Sequence, residues 1–267
     1  STSSTAAASP AARPIAPPRP DLFAPKPPPA GFDPEHAHLK LEEIPEDPPA
    51  PASAQADPDP ELPRQALRNM EEARRLFAQQ RYSETIVEAG KALRYHSNIL
   101  EAHRLSALSS FFIGKNAEAG QFADSAIALR PDDLTCRYLR GRLAEKADQP
   151  DAAFMEYRIA LKCPAPDDDP YRALTHHYLG MLLYESGFYQ AAVDQLKAFE
   201  EAALWTGPSP ENPELATIVK SRRTAPLLAL ADSHEELGQY GPAADVLALV
   251  LEHSPESVDV RVRYIKN

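Results

Sequence analysis

Cysteine, tryptophan, methionine and glycine are all scarce in this 267-residue chain, which holds 2, 1, 3 and 10 of them respectively. The two cysteines, Cys136 and Cys163, form no CxxC cluster, so a thiolate metal site is not expected and both read as free thiols. No window approaches the roughly 18 consecutive apolar residues that a membrane-crossing helix needs, so no membrane span is expected in this chain. HExxH, GxSxG and Walker-type phosphate loops are absent as well. Of the eight histidines, the neighbours His176 and His177 project about 100° apart on a helix and cannot share one metal or substrate. His36 and His38 supply only two ligands on a tail. No catalytic residue, cofactor or metal is therefore nominated, and the chain reads as not an enzyme. An excess of basic charge is also missing. The net charge of -11 and a pI near 5.2 argue against nucleic acid or an anionic membrane as the main partner, because both call for a phosphate-neutralising surface.

Proline, by contrast, is abundant and unevenly placed: 17 of 28 prolines precede Arg64, in a stretch with the single glycine Gly31. Such a composition cannot bury enough apolar surface to offset backbone entropy, so residues 1 to 63 are expected to form a disordered Pro/Ala-rich arm. Pro17-Pro18-Arg19-Pro20 and Pro25-Lys26-Pro27-Pro28-Pro29 have the composition that aromatic-lined polyproline grooves accept, and a plain spacer has it too. Between Gly31 and Pro48, Phe32, Leu39, Leu41 and Ile44 alternate with acidic residues. This segment is the arm's best docking peptide, for a partner or for the folded part itself. Ser1 is not an initiator methionine and no apolar signal core follows it, so a trimmed export signal, an anchor or a simple boundary all fit. The alanine, proline and arginine usage suggests a GC-rich bacterial source, with a cytoplasmic or an exported, periplasmic location both open.

From Ala66 onward the chain repeats. Tyr82 to Leu93 superimposes on Asn116 to Ile127 at a spacing of 34 residues, and the same step leads from Ala126 to Ala160. A period of that length marks stacked helix-turn-helix units. Leu67, Met70, Ala73, Leu76 and Phe77 follow the spacing of one buried helical face, with Ile86, Ala89 and Leu93 on the partner helix. The second unit has Leu105, Leu108, Phe111 and Phe112, a Gly114-Lys115-Asn116 turn, then Phe122, Ala126 and Leu129 before Pro131, which ends the helix. In the third, Gly141, Ala153 and Ala160 allow close helix approach. Five extra residues fall around Cys163 to Pro170 and 17 between about Glu200 and Arg223. The second insertion carries Trp205 and an apolar half, Leu215, Ile218 and Val219, expected to be helical and to lengthen the next helix unless Pro226 marks a fresh start.

These units resemble the tetratricopeptide repeat (TPR) family, whose pattern has a small residue at the eighth position, an aromatic at the seventeenth, alanine at the twentieth and twenty-seventh, and proline at the thirty-second. Leu179-Gly180, Gly187, Tyr189 and Ala192 match it in the fourth unit, and Leu230-Ala231, Gly238, Tyr240, Ala243 and Pro255 in the fifth. Phe199 and Val250 replace the second alanine, and Asn116 and Pro150 stand where the aromatic is expected. The resemblance implies an all-α, right-handed superhelical solenoid over residues 64 to 267. Repeats would lie at about 66–99, 100–133, 134–166, 173–206 and 224–257, with a partial sixth at 258–267.

In that family the first helix of each repeat lines a concave groove. Carried over residue by residue, the groove includes Arg74, Phe77, Arg104, Phe111, Tyr138, Arg142, His177 and Tyr184, with Trp205 added as an interface anchor from the insertion. Arg74, Arg104, Arg142 and Lys146 make repeats one to three basic, while Asp232, Glu235 and Glu236 make repeat five acidic. A basic groove on an acidic protein suits an acidic peptide, the arm's own Glu42 to Asp47 being one candidate. Met70 and Arg74 stand where chaperone-binding members carry a lysine and asparagine clamp, so that role is not expected. The reading is a non-catalytic scaffold that binds peptide segments or partner proteins. The alternative is a recognition or regulatory region of a larger enzyme or envelope-assembly complex.

Overall fold

The computed structural model describes Leu39 and residues 43–51, 62–205, 212–221, 224–253, 255 and 257–266, without the side chains of residues 204, 205, 253 and 258. All twelve helices among these residues belong to one progression, and no strand occurs in it. Five antiparallel pairs follow one another: α1 (Arg64–Ala78) with α2 (Tyr82–Tyr95), α3 (Leu100–Phe112) with α4 (Asn116–Leu129), α5 (Leu134–Lys146) with α6 (Pro150–Leu161), α7 (Pro170–Glu185) with α8 (Tyr189–Trp205), and α10 (Thr224–Glu236) with α11 (Tyr240–His253). The short α9 (Pro213–Lys220) lies in the second insertion, and α12 (Val258–Lys266) packs on α11. Each first helix also touches the first helix of the next pair, so α1, α3, α5, α7 and α10 form one continuous inner wall.

Burial explains the spacing. The second helices of the first three pairs begin at Tyr82, Asn116 and Pro150, 34 residues apart. The fourth residue of the second helix is fully buried in every pair: Thr85, Ala119, Ala153, Ala192 and Ala243. Seven residues later come Ala92, Ala126, Ala160, Phe199 and Val250, again buried. Neither helix of a pair is long enough to be stable alone, and stacking hides the apolar stripe of each. In the first pair the buried stripe runs through Ala66, Met70, Ala73 and Leu76, whereas Leu67, expected on it, is 47% exposed. Small residues take the closest contacts here, and this rotates the face by about one position. Gly141 shows how close the contacts are, since a Cβ there would lie 2.3 Å from the Tyr157 ring.

The turn inside each pair needs a left-handed residue. Glycine supplies it at Gly114, Gly187 and Gly238, and Gln80 and Asp148 adopt it at φ of 59° and 55°. Three helix starts are capped by side chains, with Asp133, Asp169 and Asn212 accepting from the backbone N–H of Cys136, Tyr171 and both Glu214 and Leu215. α10 begins anew at Thr224 with Pro226 in its first turn, so the second insertion makes a separate helix and does not lengthen the next one.

Part of the acidic arm rests on the outer surface. Leu39 is buried among α7 and α8 residues, its N–H donating to Ser186 Oγ at 3.0 Å, and Ile44 joins the same core. On α6, Arg158 donates to Pro45 O (2.8 Å) and Asp47 Oδ1 (2.7 Å), while Lys162 donates to Asp47 Oδ2 (2.8 Å). Lys162 and Arg158 together hold the Asp47 carboxyl below its ordinary range. The described part of the acidic segment thus lies against α6, α8 and the α7–α8 turn, away from the concave wall where the sequence placed it as a candidate occupant. The basic residues that meet it are Arg158 and Lys162, which the groove positions do not include. The proline motifs at 17–20 and 25–29, and His36 and His38, lie outside the described residues.

Candidate functional site

On the inner wall, α9 lies in the channel between α5 and α7. Its start is written locally: Asn212 caps it, Pro213 takes the first helical position where no N–H is needed, and Glu214 follows in the positive first turn. Leu215 is fully buried in the core shared by Tyr138, Leu174 and Phe199, with Ile218 and Val219 half-buried beside it. Both oxygens of Glu214 are occupied. Tyr138 Oη donates to Oε2 at 2.6 Å, Tyr178 Oη donates to Oε1 at 2.8 Å, and Arg142 Nη1 forms an ion pair with Oε1.

The arginine is held from behind. Arg142 Nε donates to Glu145 Oε2 at 3.0 Å, and the same oxygen accepts from Tyr157 Oη at 2.7 Å. Its guanidinium carbon lies 3.5 Å from the centre of the Tyr178 ring and 5.8 Å from that of Phe111, over which Lys146 Nζ also sits at 4.1 Å. Burial works against the Arg142 charge, but the facing Tyr138 and Tyr178 oxygens and Glu214 outweigh it, so the guanidinium stays protonated well above its ordinary range. Burial, followed by the Glu214 charge, pushes the Tyr138 phenol well up, so it remains a donor. The Glu145 carboxyl is raised by burial against the pull of Arg142.

The other expected groove residues separate into distinct roles. Arg74 pairs with Glu101 of the next repeat and Arg104 with Asp133, the cap of the next repeat's first helix, so the arginines of the basic strip are paired within the molecule and offer less free charge than composition suggests. Tyr184 donates to Asp232 Oδ2 at 2.7 Å, and Arg263 of α12 pairs with both Asp232 and Glu235, which offsets part of the acidic charge at that end. Phe77 stands edge-on to Tyr82, ring centres 5.6 Å apart, beside a cleft of about 560 Å³ that Tyr171, Asn212 and Pro213 line from the other side. A second cleft of about 340 Å³ opens by Met70, Arg74 and Arg104. His177, expected in the groove, is buried. It is 8% exposed, between Tyr178 and Phe199 at ring distances of 4.8 and 5.0 Å, where burial and the Arg142 charge push its imidazole down to about 4. It is a core residue, since the small Gly180 lets α8 close over that side of α7. Trp205 ends α8, and its side chain lies outside the described residues.

Residues the sequence reading missed are Glu214 and Tyr178, together with Glu101, Asp133 and Arg263. The cap-proline-glutamate start of α9 was the available signal for Glu214. Among the described residues no group of three His, Cys, Asp or Glu side chains is placed to hold a metal, both cysteines are buried and free, and no helix is long and apolar enough to cross a membrane.

No protein-family model and no curated protein matches the sequence. Solved structures do match the fold. YrrB, described as a TPR protein with an unusual peptide-binding site, aligns at 16% identity over 76% of this chain and 92% of its own, with a TM-score of 0.52. MamA (residues 41 to the end) from Desulfovibrio magneticus RS-1 aligns at 15% identity over 74% and 99%, with a TM-score of 0.53. The C-terminal part of a TPR repeat-containing protein from Cytophaga hutchinsonii aligns at 15% identity over 74% and 69%, with a TM-score of 0.50. Together with the helix pairs and their buried alanines, these likenesses show that the chain has the fold of the tetratricopeptide repeat proteins, an all-helical solenoid.

Proposed function

We propose that this protein is a non-catalytic scaffold that binds peptide segments or partner proteins along its concave wall. The observation that carries the reading is α9: the wall of first helices already holds a short helix, through a carboxylate cage and an apolar seat. A surface that accommodates one such segment has the shape and chemistry to accommodate another. Most groove charges are internally paired, so recognition rests on aromatic and apolar contacts with few charged anchors. YrrB is described as having a peptide-binding site, and the fold likeness to it agrees with this use.

The test is site-specific photo-crosslinking with a benzophenone side chain at Phe77 on the wall and, separately, at Val87, which is 54% exposed on α2. Crosslinks to one defined partner segment from Phe77 and none from Val87 are expected. Equal yields at both positions would contradict a concave binding surface.

The alternative, a recognition or regulatory region within a larger enzyme or envelope-assembly complex, draws on α12. That helix turns Val262 and the 76%-exposed Ile265, three residues apart on one side, to solvent, an apolar strip that a neighbour in an assembly would cover.

A further inference from the structure

We propose that the cage of Arg142, Tyr138 and Tyr178 is a carboxylate-recognition site for a partner segment, and that α9 is its resident intramolecular ligand. The sequence of α9 then specifies the partner's chemistry: an acidic residue opening a helix, with apolar residues one, four and five places after it, as Leu215, Ile218 and Val219 follow Glu214. The proposal rests on the scaffold reading above and narrows it.

Three features separate a recognition site from a plain structural contact. The cage's guanidinium is held by groups other than its ligand: Glu145 and Tyr157 fix it from behind, and the Tyr178 ring supports its face. A site whose donors are held by groups outside the ligand loses little order when the ligand changes. The ligand itself is slight. α9 has eight residues, too few to be helical alone, and its backbone packs mainly on α7, so it holds its place through the cage and one buried leucine. Finally, the channel continues past it. The cleft lined by Phe77, Tyr82 and Tyr171 begins at Asn212 and Pro213, so a partner with apolar residues before its carboxylate gains contacts that α9 leaves unused. Those added contacts offset the high effective concentration of the tethered helix.

Two classes of contact therefore divide the work. The carboxylate sets register, because two phenols and one guanidinium N–H converge on its two oxygens. The leucine pocket and the aromatic cleft supply affinity. A partner without the carboxylate would leave Arg142 buried with only Glu145 to balance it, which selects against neutral segments.

The experiment uses the full chain and a fluorescent synthetic peptide of residues 211–221 as probe, read by anisotropy. Three proteins are compared: wild type, Glu214→Gln, and a variant with residues 212–220 replaced by a Gly/Ser linker, each checked for helicity by circular dichroism. The peptide is expected to bind the linker variant and Glu214→Gln at least about tenfold more tightly than wild type, because the resident ligand is removed or weakened. Replacing the peptide's glutamate by glutamine, or adding Tyr138→Phe with Tyr178→Phe to Glu214→Gln, is expected to lower affinity by about tenfold or more, since the rings remain and only the donors go. If the linker variant fails to fold, Glu214→Gln alone decides the outcome. No binding to Glu214→Gln, or binding indifferent to the peptide's carboxylate and the two phenols, overturns the proposal. In that event crosslinking from Phe77 still reports on the scaffold reading by itself, so the two can fail separately.

Discussion

Tyr138 Oη donates to Glu214 Oε2 at 2.6 Å, joining a first helix to an insertion helix 76 residues further along the chain. Because Glu214 is 17% exposed and Arg142 is 14% exposed, the contact is largely withdrawn from water, and its energy exceeds that of a surface pair. A double-mutant cycle with Tyr138→Phe and Glu214→Gln, followed by urea unfolding, is expected to give a coupling energy of about 1 kcal/mol on top of single losses of about 1 to 2 kcal/mol. Simple additivity would mean that the two groups do not interact in solution.

Glycines at similar places in the helices should respond with opposite signs. At Gly141 an added methyl meets the Tyr157 ring at 2.3 Å, and that ring is fixed by its bond to Glu145, so Gly141→Ala is expected to cost about 1 to 3 kcal/mol. At Gly90, in the interior of α2, nothing lies within 4 Å of the added carbon, and Gly90→Ala is expected to stabilise by about 0.5 to 1 kcal/mol through helix propensity. Thermal unfolding of the two variants checks the pair. Equal effects would show that α5 and α6 are not in the close contact described.

The repeat was legible because it is a local burial rule. Thr85, Ala119, Ala153, Ala192 and Ala243 sit where two helices cross, and their small size shows in the sequence at the period of the stack. Groove positions came from the family pattern, which names the side chains but not their partners. Arg74, Arg104 and Arg142 looked like free positive charge because Glu101, Asp133 and Glu214 come from the next repeat, from the cap that precedes one, or from the insertion, and periodicity carries no record of such pairs. The docked arm was half legible. Its apolar and acidic alternation was visible, but its partners Arg158, on α6, and Lys162, just after it, lie outside the groove positions. For His177, the inward turn follows from Gly180 letting α8 close on α7, a tertiary effect that helix periodicity did not separate from the groove face.

The buried histidine gives the fold a pH response. Burial and the Arg142 charge depress His177 to about 4 from an ordinary 6.5, so the folded state keeps it neutral where the unfolded chain takes up a proton. The unfolded state thus binds more protons between these values. Stability contributed by His177 is complete above about pH 6.5 and is lost as pH falls towards 4, to a limit of roughly 3 kcal/mol. His176 and His234 are lowered by burial too and act with the same sign. Denaturant unfolding between pH 7 and 4.5 is expected to show a shallower slope for His177→Leu than for the wild type. An unchanged slope would place this imidazole in water.

Hydrogen exchange at α9 tests the central claim most directly. An eight-residue helix has no stability alone, so slow exchange at its amides can come only from docking in the channel. The account predicts that the amides of Thr217 to Lys220 exchange at least about a hundredfold more slowly than in the free peptide, and that Glu214→Gln removes most of that protection. Exchange at the free-peptide rate in the wild-type chain would contradict it.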